Sequence, residues 1–228
     1  MSVFKKVLLV IVAMAILLGL GLFVLALNVG YWPKLAKVVG VGGVKDLGVS
    51  YADEDYISAR TKLDAALDSQ IVKTTLSDAE LTALVNGCTA SVCVVDEVQV
   101  MTDPEGTVEL SGAINRDDLA DLMVELGDTG TFDPEFEQMI KWLPARPSVY
   151  VRFAAAGHDD TVTLALESFK LAGIEVPKAS LTDLSADLSQ RLTEYLADLD
   201  GTQVNQFKIT EDGLYLEGNL EQFDEESL

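Results

Sequence analysis

One histidine, His158, and two cysteines, Cys88 and Cys93, make up most of the chemistry-bearing inventory of this chain. The cysteines stand in Asn86-Gly87-Cys88-Thr89-Ala90-Ser91-Val92-Cys93. In an oxidising compartment they are expected to pair. So short a loop contributes about 2 kcal/mol in the chain-entropy model, and the bridge would fix the turn between a helix and a strand. A metal site and two free buried thiols are the other readings. Metal needs more ligands than this pair, and His158 is distant in sequence. His158 is predicted in a strand-to-strand turn beside Gly157, Asp159 and Asp160, where a histidine is solvated. Acidic pairs such as Asp117-Asp118 fall on wet faces or at helix starts, where they complement the helix dipole. A catalytic reading of them would need a concave site. Asp103-Pro104-Glu105-Gly106 lacks the ligand number of a calcium loop. There is no serine elbow, no HExxH and no Walker loop. A non-enzyme is expected, with no catalytic residue, no metal and no cofactor.

The elements that would carry these residues begin with an uninterrupted apolar run, Val7 to Leu27. As a helix it would measure about 31 Å, close to the hydrocarbon thickness of a bilayer. A secretory signal has a shorter apolar region and a small-x-small cleavage site. Here the run passes into Asn28-Val29-Gly30-Tyr31-Trp32-Pro33, with Tyr31 and Trp32 at headgroup level. A retained anchor is expected; cleavage after Ala26 is the alternative. Lys5 and Lys6 favour a cytoplasmic N-terminus, although Lys34 and Lys37 weaken the asymmetry. The predicted organisation is a cytoplasmic N-terminus at 1–6, a transmembrane anchor at 7–27 and a juxtamembrane stalk at 28–50. An extracytoplasmic domain at 51–220 and an acidic tail at 221–228 follow. Localisation is expected at the cell membrane, single-pass, with the C-terminal domain outside.

The chain has 228 residues, 37 of them acidic and 16 basic, for a net charge of −21. That argues against nucleic acid and against electrostatic adhesion to anionic lipid. The bland reading is solubility; adaptation to salt is another. The residues after the stalk suffice for one domain with a core.

Gly40, Gly42, Gly43 and Gly48 mark the stalk. No strand precedes them and no Lys-Ser/Thr closes them, so they form no nucleotide loop. A helix is predicted from Asp53 to Leu67. From Thr74 the order helix, strand, strand recurs. Ser77 and Glu80 form a capping box opening a helix with Leu81, Leu84 and Val85 on one face. Strands follow over Val94–Met101 and Thr107–Ile114. Val108, Leu110 and Ile114 define a buried face, and Thr107, Glu109 and Ser111 a wet one. A second unit has helical stripes through Leu119, Leu122, Met123 and Leu126 and through Phe136, Met139, Ile140 and Leu143. Its strands are Ser148–Ala156 and Thr161–Leu171. A third has a long amphipathic helix through Leu181, Leu184, Leu188, Leu192, Tyr195, Leu196 and Leu199. Strands Val204–Thr210 and Gly213–Leu220 close it. Val108-x-Leu110-x-Gly112 is echoed by Leu214-x-Leu216-x-Gly218. The fold class expected is α+β: one N-terminal transmembrane helix, then a curved antiparallel sheet covered by amphipathic helices.

The stretch Thr74 to Asn86 resembles the opening helix of YpmS-like membrane-anchored bacterial proteins. Val108-Glu109-Leu110-Ser111-Gly112-Ala113-Ile114 resembles the strand that follows it there. Val162 to Leu166 and Leu171-Ala172-Gly173-Ile174-Glu175-Val176-Pro177 resemble a later strand and the turn into a helix. Phe207 to Gly218 is similar to tubular lipid-binding (TULIP-like) proteins. The resemblance implies one anchor, an outside domain, and a long helix against a curved sheet around an acyl-chain tunnel. It implies no catalytic residue.

The expected function is therefore binding of lipid or another apolar ligand by a membrane-anchored extracytoplasmic domain. The groove between sheet and long helix would be lined by Val149, Val151, Phe153, Val162, Leu164, Leu166, Leu184 and Leu188. The alternative is an anchored structural or protein-interaction module of the envelope with no ligand cavity, because a packed core requires the same stripes. Its partner surface would be acidic helix faces such as Asp117, Asp118, Asp121 and Glu125. Expected partners are the bilayer, through residues 7–27, and either an apolar ligand or an envelope protein.

Overall fold

The computed structural model describes residues 43–68, 72–87, 95–116, 144–175, 178–197 and 202–220. The anchor, both cysteines, the stripes between Leu119 and Leu143 and the acidic tail lie outside them. Among the described residues no helix is long and apolar enough to cross a membrane.

The elements run α1 (Asp53–Asp68), β1 (Val72–Leu76), α2 (Asp78–Asn86), β2 (Val95–Asp103), β3 (Thr107–Ile114), β4 (Ser148–His158) and β5 (Thr161–Leu171). Then come β6 (Ile174–Glu175), α3 (Lys178–Ala197), β7 (Thr202–Thr210) and β8 (Gly213–Leu220). The class is α+β. Every strand pairing is antiparallel, in one 8-stranded sheet ordered β1-β8-β7-β4-β3-β2, with β5 on the other edge of β4 and β6 on β5. β4 is the axis. β5 follows it from Val149 to His158, while β3 takes Ser148–Ala154 and β7 takes Ala156–His158 of the opposite edge. The β4–β5 hairpin turns on Asp159 and Asp160, both left-handed (φ 48° and 58°), as a two-residue hairpin loop requires. At the meeting of β4 and β7, a Cβ on Gly157 would lie 2.2 Å from the Phe207 ring, so only glycine admits that aromatic.

β1 and β6 are not predicted from the sequence. The strands Thr107–Ile114, Thr161–Leu171 and Gly213–Leu220 begin and end where the sequence places them. Ser77 caps α2 as expected: its side chain accepts from the Glu80 amide, and Glu80 accepts from the Ser77 amide at 2.9 Å. Glu80 also accepts from Ser58 (2.6 Å) and Lys62 (2.7 Å), which ties α2 to α1.

Helices seal the sheet edges by side-chain bonds to backbone. On α2, Asp78, Thr82 and Asn86 accept from the Thr102, Val100 and Val98 amides at 3.0, 2.9 and 3.0 Å. On α3, Ser185, Ser189 and Thr193 accept from the Leu166, Leu164 and Val162 amides at 2.9, 2.9 and 3.0 Å. The spacing works because four helical residues rise about 6 Å and two strand residues about 6.7 Å. A helix carrying short acceptors at i, i+4 and i+8 thus meets every second amide of an edge strand. Those amides would otherwise be a template for pairing with another chain.

The apolar core lies on one face of the sheet. Leu63 of α1, Leu76 of β1, Leu84 of α2, Phe169 of β5 and Leu181, Leu188 and Leu192 of α3 are among its large, deeply buried members.

Candidate functional site

The predicted lining residues come together. Val149, Val151 and Phe153 of β4, Val162, Leu164 and Leu166 of β5, and Leu188 of α3 are all buried members of one cluster. Alternation along β4 and β5 turns them to the same face, and register confirms it: Val151 pairs with Phe169, Phe153 with Leu166 and Ala155 with Leu164. Leu184 is on α3, and its side chain lies outside the described residues. The hydroxyl ladder holds α3 directly against β5, with Leu188 and Leu192 inward.

A second site sits on the opposite face and was not foreseen. Thr107, Glu109 and Ser111 of β3 form the side expected to be wet, yet they are buried, Glu109 to 7% exposure and Ser111 to 0%. Register explains the neighbours: Glu109 pairs with Arg152, and Ser111 with Tyr150. Glu109 Oε2 accepts from the Tyr150 hydroxyl at 2.9 Å and from Lys45 Nζ at 2.5 Å. Glu109 Oε1 accepts from Arg152 Nη1 at 3.0 Å. Arg152 also donates from Nε to Glu167 at 2.8 Å and lies 4.0 Å from Asp103. Glu167 reaches it through an irregularity in β5: Arg152 pairs with Ser168 and Phe153 with Leu166, so Glu167 is the extra residue.

Lys45 lies within the predicted stalk, 28–50, whose described part is bonded to the sheet at Lys45 and Leu47. The Lys45 Nζ stands 4.1 Å from the centroid of the Tyr150 ring, within cation–π range. The Leu47 amide donates to Gln99 at 2.7 Å, a second tie between this segment and the sheet. Lys170 lies 5.7 Å from the same tyrosine ring.

Burial pushes the Glu109 carboxyl up, but hydrogen bonds from Lys45 and Tyr150 and the charges of Lys45 and Arg152 outweigh it, leaving the group below the usual range. The Tyr150 phenol is pushed up, first by burial and then by its bond to Glu109. A carboxyl held low beside a phenol held high is the reverse of a pair tuned to exchange a proton near neutrality. The cluster is built to hold charge in place.

His158 is exposed, with Nδ1 3.0 Å from the Asn205 carbonyl oxygen and 3.4 Å from the Asp159 carboxylate. Among the described residues no group of three or more His, Cys, Asp or Glu side chains could hold a metal ion. The signal for the Glu109 site was present in part: a glutamate and two small hydroxyl residues alternate on β3. Its partners, Lys45 and Arg152, are far away in sequence and only the fold collects them.

No protein-family model, curated protein or solved structure matches this chain.

Proposed function

We propose that this chain is an anchored module of the cell envelope whose core is filled and whose surface meets its partner. The anchor is residues 7–27, with the N-terminus inside and the domain outside. The reading of the core rests on one observation. The amides of Leu166, Leu164 and Val162 each donate to a hydroxyl of α3 within 3.0 Å. A helix bonded directly to the strand leaves no width for an acyl chain at that edge. The anchor rests on the apolar run Val7–Leu27 and the lysines preceding it.

A second reading, binding of lipid or another apolar ligand, is supported by the continuity of the apolar cluster across β4, β5 and α3. The resemblance of Thr74–Asn86 and Phe207–Gly218 to YpmS-like and TULIP-like sequences, which rests on those motifs alone, implies the same. In this reading a ligand enters when α3 leaves β5 and the hydroxyl ladder opens.

Photo-crosslinking decides between them. Cells making the full chain are fed a diazirine-bearing fatty acid and irradiated, and the labelled peptides are mapped by mass spectrometry. A filled core gives label on residues 7–27 and none on Thr161–Leu171 or Lys178–Ala197. Label on the β5 and α3 peptides would overturn the filled core in favour of an apolar ligand. Absence of label on 7–27 would remove the anchor.

A further inference from the structure

The geometry points to Glu109 and Tyr150 as a binding site for a primary ammonium group, occupied in cis by Lys45. A compact cation needs a carboxylate to accept its N–H and an aromatic face for its remaining charge. Here Glu109 Oε2 lies 2.5 Å from Nζ, and the Tyr150 centroid 4.1 Å.

The acceptor side is built without Lys45. Arg152 holds Oε1 at 3.0 Å and the Tyr150 hydroxyl holds Oε2 at 2.9 Å, so the carboxylate keeps its orientation when the lysine leaves. The two partners are also unequally held. The Lys45 side chain is 49% exposed, against 9% for that of Glu109. A fixed acceptor with a half-solvated donor is an exchangeable contact. On the same face of β3, Thr107 Oγ1 and Ser111 Oγ are buried with no hydrogen-bond partner. Arg152 already takes the other carboxylate oxygen, so the open position suits a point-like ammonium better than a second guanidinium.

Residues 43–48 therefore form a strap, tied at Lys45 and Leu47, that an incoming primary amine displaces. The tether gives Lys45 an effective concentration on the order of millimolar, which a competitor must exceed. This inference is independent of whether the core is filled.

The test is rescue by a small amine. The full chain carrying Lys45→Ala, in detergent micelles, is heated with increasing n-butylammonium chloride. We expect the melting temperature to rise saturably. Tetramethylammonium chloride, which has no N–H to donate, and sodium chloride at equal ionic strength should give no saturation. In the Lys45→Ala background Tyr150→Phe, which keeps the ring but loses the hydroxyl on Oε2, should keep saturable rescue at reduced apparent affinity. Tyr150→Leu, which loses both, should weaken that affinity further, at least tenfold below Lys45→Ala alone. Arms with Nα-acetyl-lysine amide and with phosphoethanolamine tell a protein side chain from a lipid headgroup as the source; saturable rescue by either supports the site. Equal, unsaturating responses to all the salts would overturn it. So would undiminished rescue in Tyr150→Leu, which keeps Glu109 and avoids the folding risk of removing a buried carboxylate.

Discussion

Glu109 carries opposing influences, and their balance sets a pH dependence. Burial favours its neutral form, while Lys45, Tyr150 and Arg152 favour the anion and prevail. Glu80 is lowered in the same way: burial raises it, and bonds from Lys62, Ser58 and the Ser77 amide outweigh that. A carboxyl whose folded pKa lies below its unfolded value, near 4.3 for glutamate, contributes stability that is fully present above that value. The contribution is lost as pH falls through the folded pKa. We expect the urea midpoint to hold from about pH 7 to about pH 5 and to drop below about pH 4.3. Glu109→Gln should lower the midpoint at neutral pH and flatten the acid limb. An acid limb of unchanged slope would mean that the network contributes no linkage. Alternation along β3 told which side chains share a face. It could not tell what lies over that face, because Lys45 is 64 positions away. The capping box at Ser77 was legible for the contrary reason: both halves sit within three residues.

At the scale of elements, the ladders are the devices that close the sheet. Ser185, Ser189 and Thr193 sit beside the leucine stripe of α3, and mid-helix hydroxyls ordinarily read as neutral filler. Their regular four-residue spacing was the signal, repeated by Asp78, Thr82 and Asn86 on α2. The long strands and α3 itself were legible from period alone. β1 was not: Val72-Lys73-Thr74-Thr75-Leu76 is short and lacks alternation, and its place comes from pairing with β8. Ser189→Ala leaves the Leu164 amide without an acceptor in a partly buried setting. A loss of about 1–3 kcal/mol follows, read by urea denaturation. Hydrogen exchange at the Leu164 amide should accelerate selectively. Thr182→Ala is the control, since that hydroxyl bonds only the exposed Lys178 carbonyl within its own helix, and it should change stability by less than about 0.5 kcal/mol. Equal effects of the two substitutions would show that the ladder carries no strand-sealing role.

At the scale of the molecule, the described residues of the sheet put charge on one face and apolar side chains on the other. α1 opens with Asp53, Glu54 and Asp55, whereas Lys73, Arg152, Lys170 and Lys208 stand on the sheet face turned from the core. On that face Lys73 pairs with Glu217, and Arg152 with Glu109 and Glu167. The other face joins every layer through one cluster, so its packing decides whether the domain can admit a ligand. Leu188 is the sharpest probe, 1% exposed and next to the ladder residue Ser189. In a filled core, Leu188→Trp forces rotamers and backbone apart, at a cost of about 1–3 kcal/mol. Leu188→Ala costs about 2–5 kcal/mol by leaving a cavity. Both directions of volume change therefore destabilise. In a core with a ligand channel the outcomes separate: the indole occupies the channel, stability changes by less than about 0.5 kcal/mol, and bound lipid is lost instead. Urea denaturation of the two variants, with lipid extraction from each, distinguishes the cases. Destabilisation by both is the result expected of a module that works through its surface.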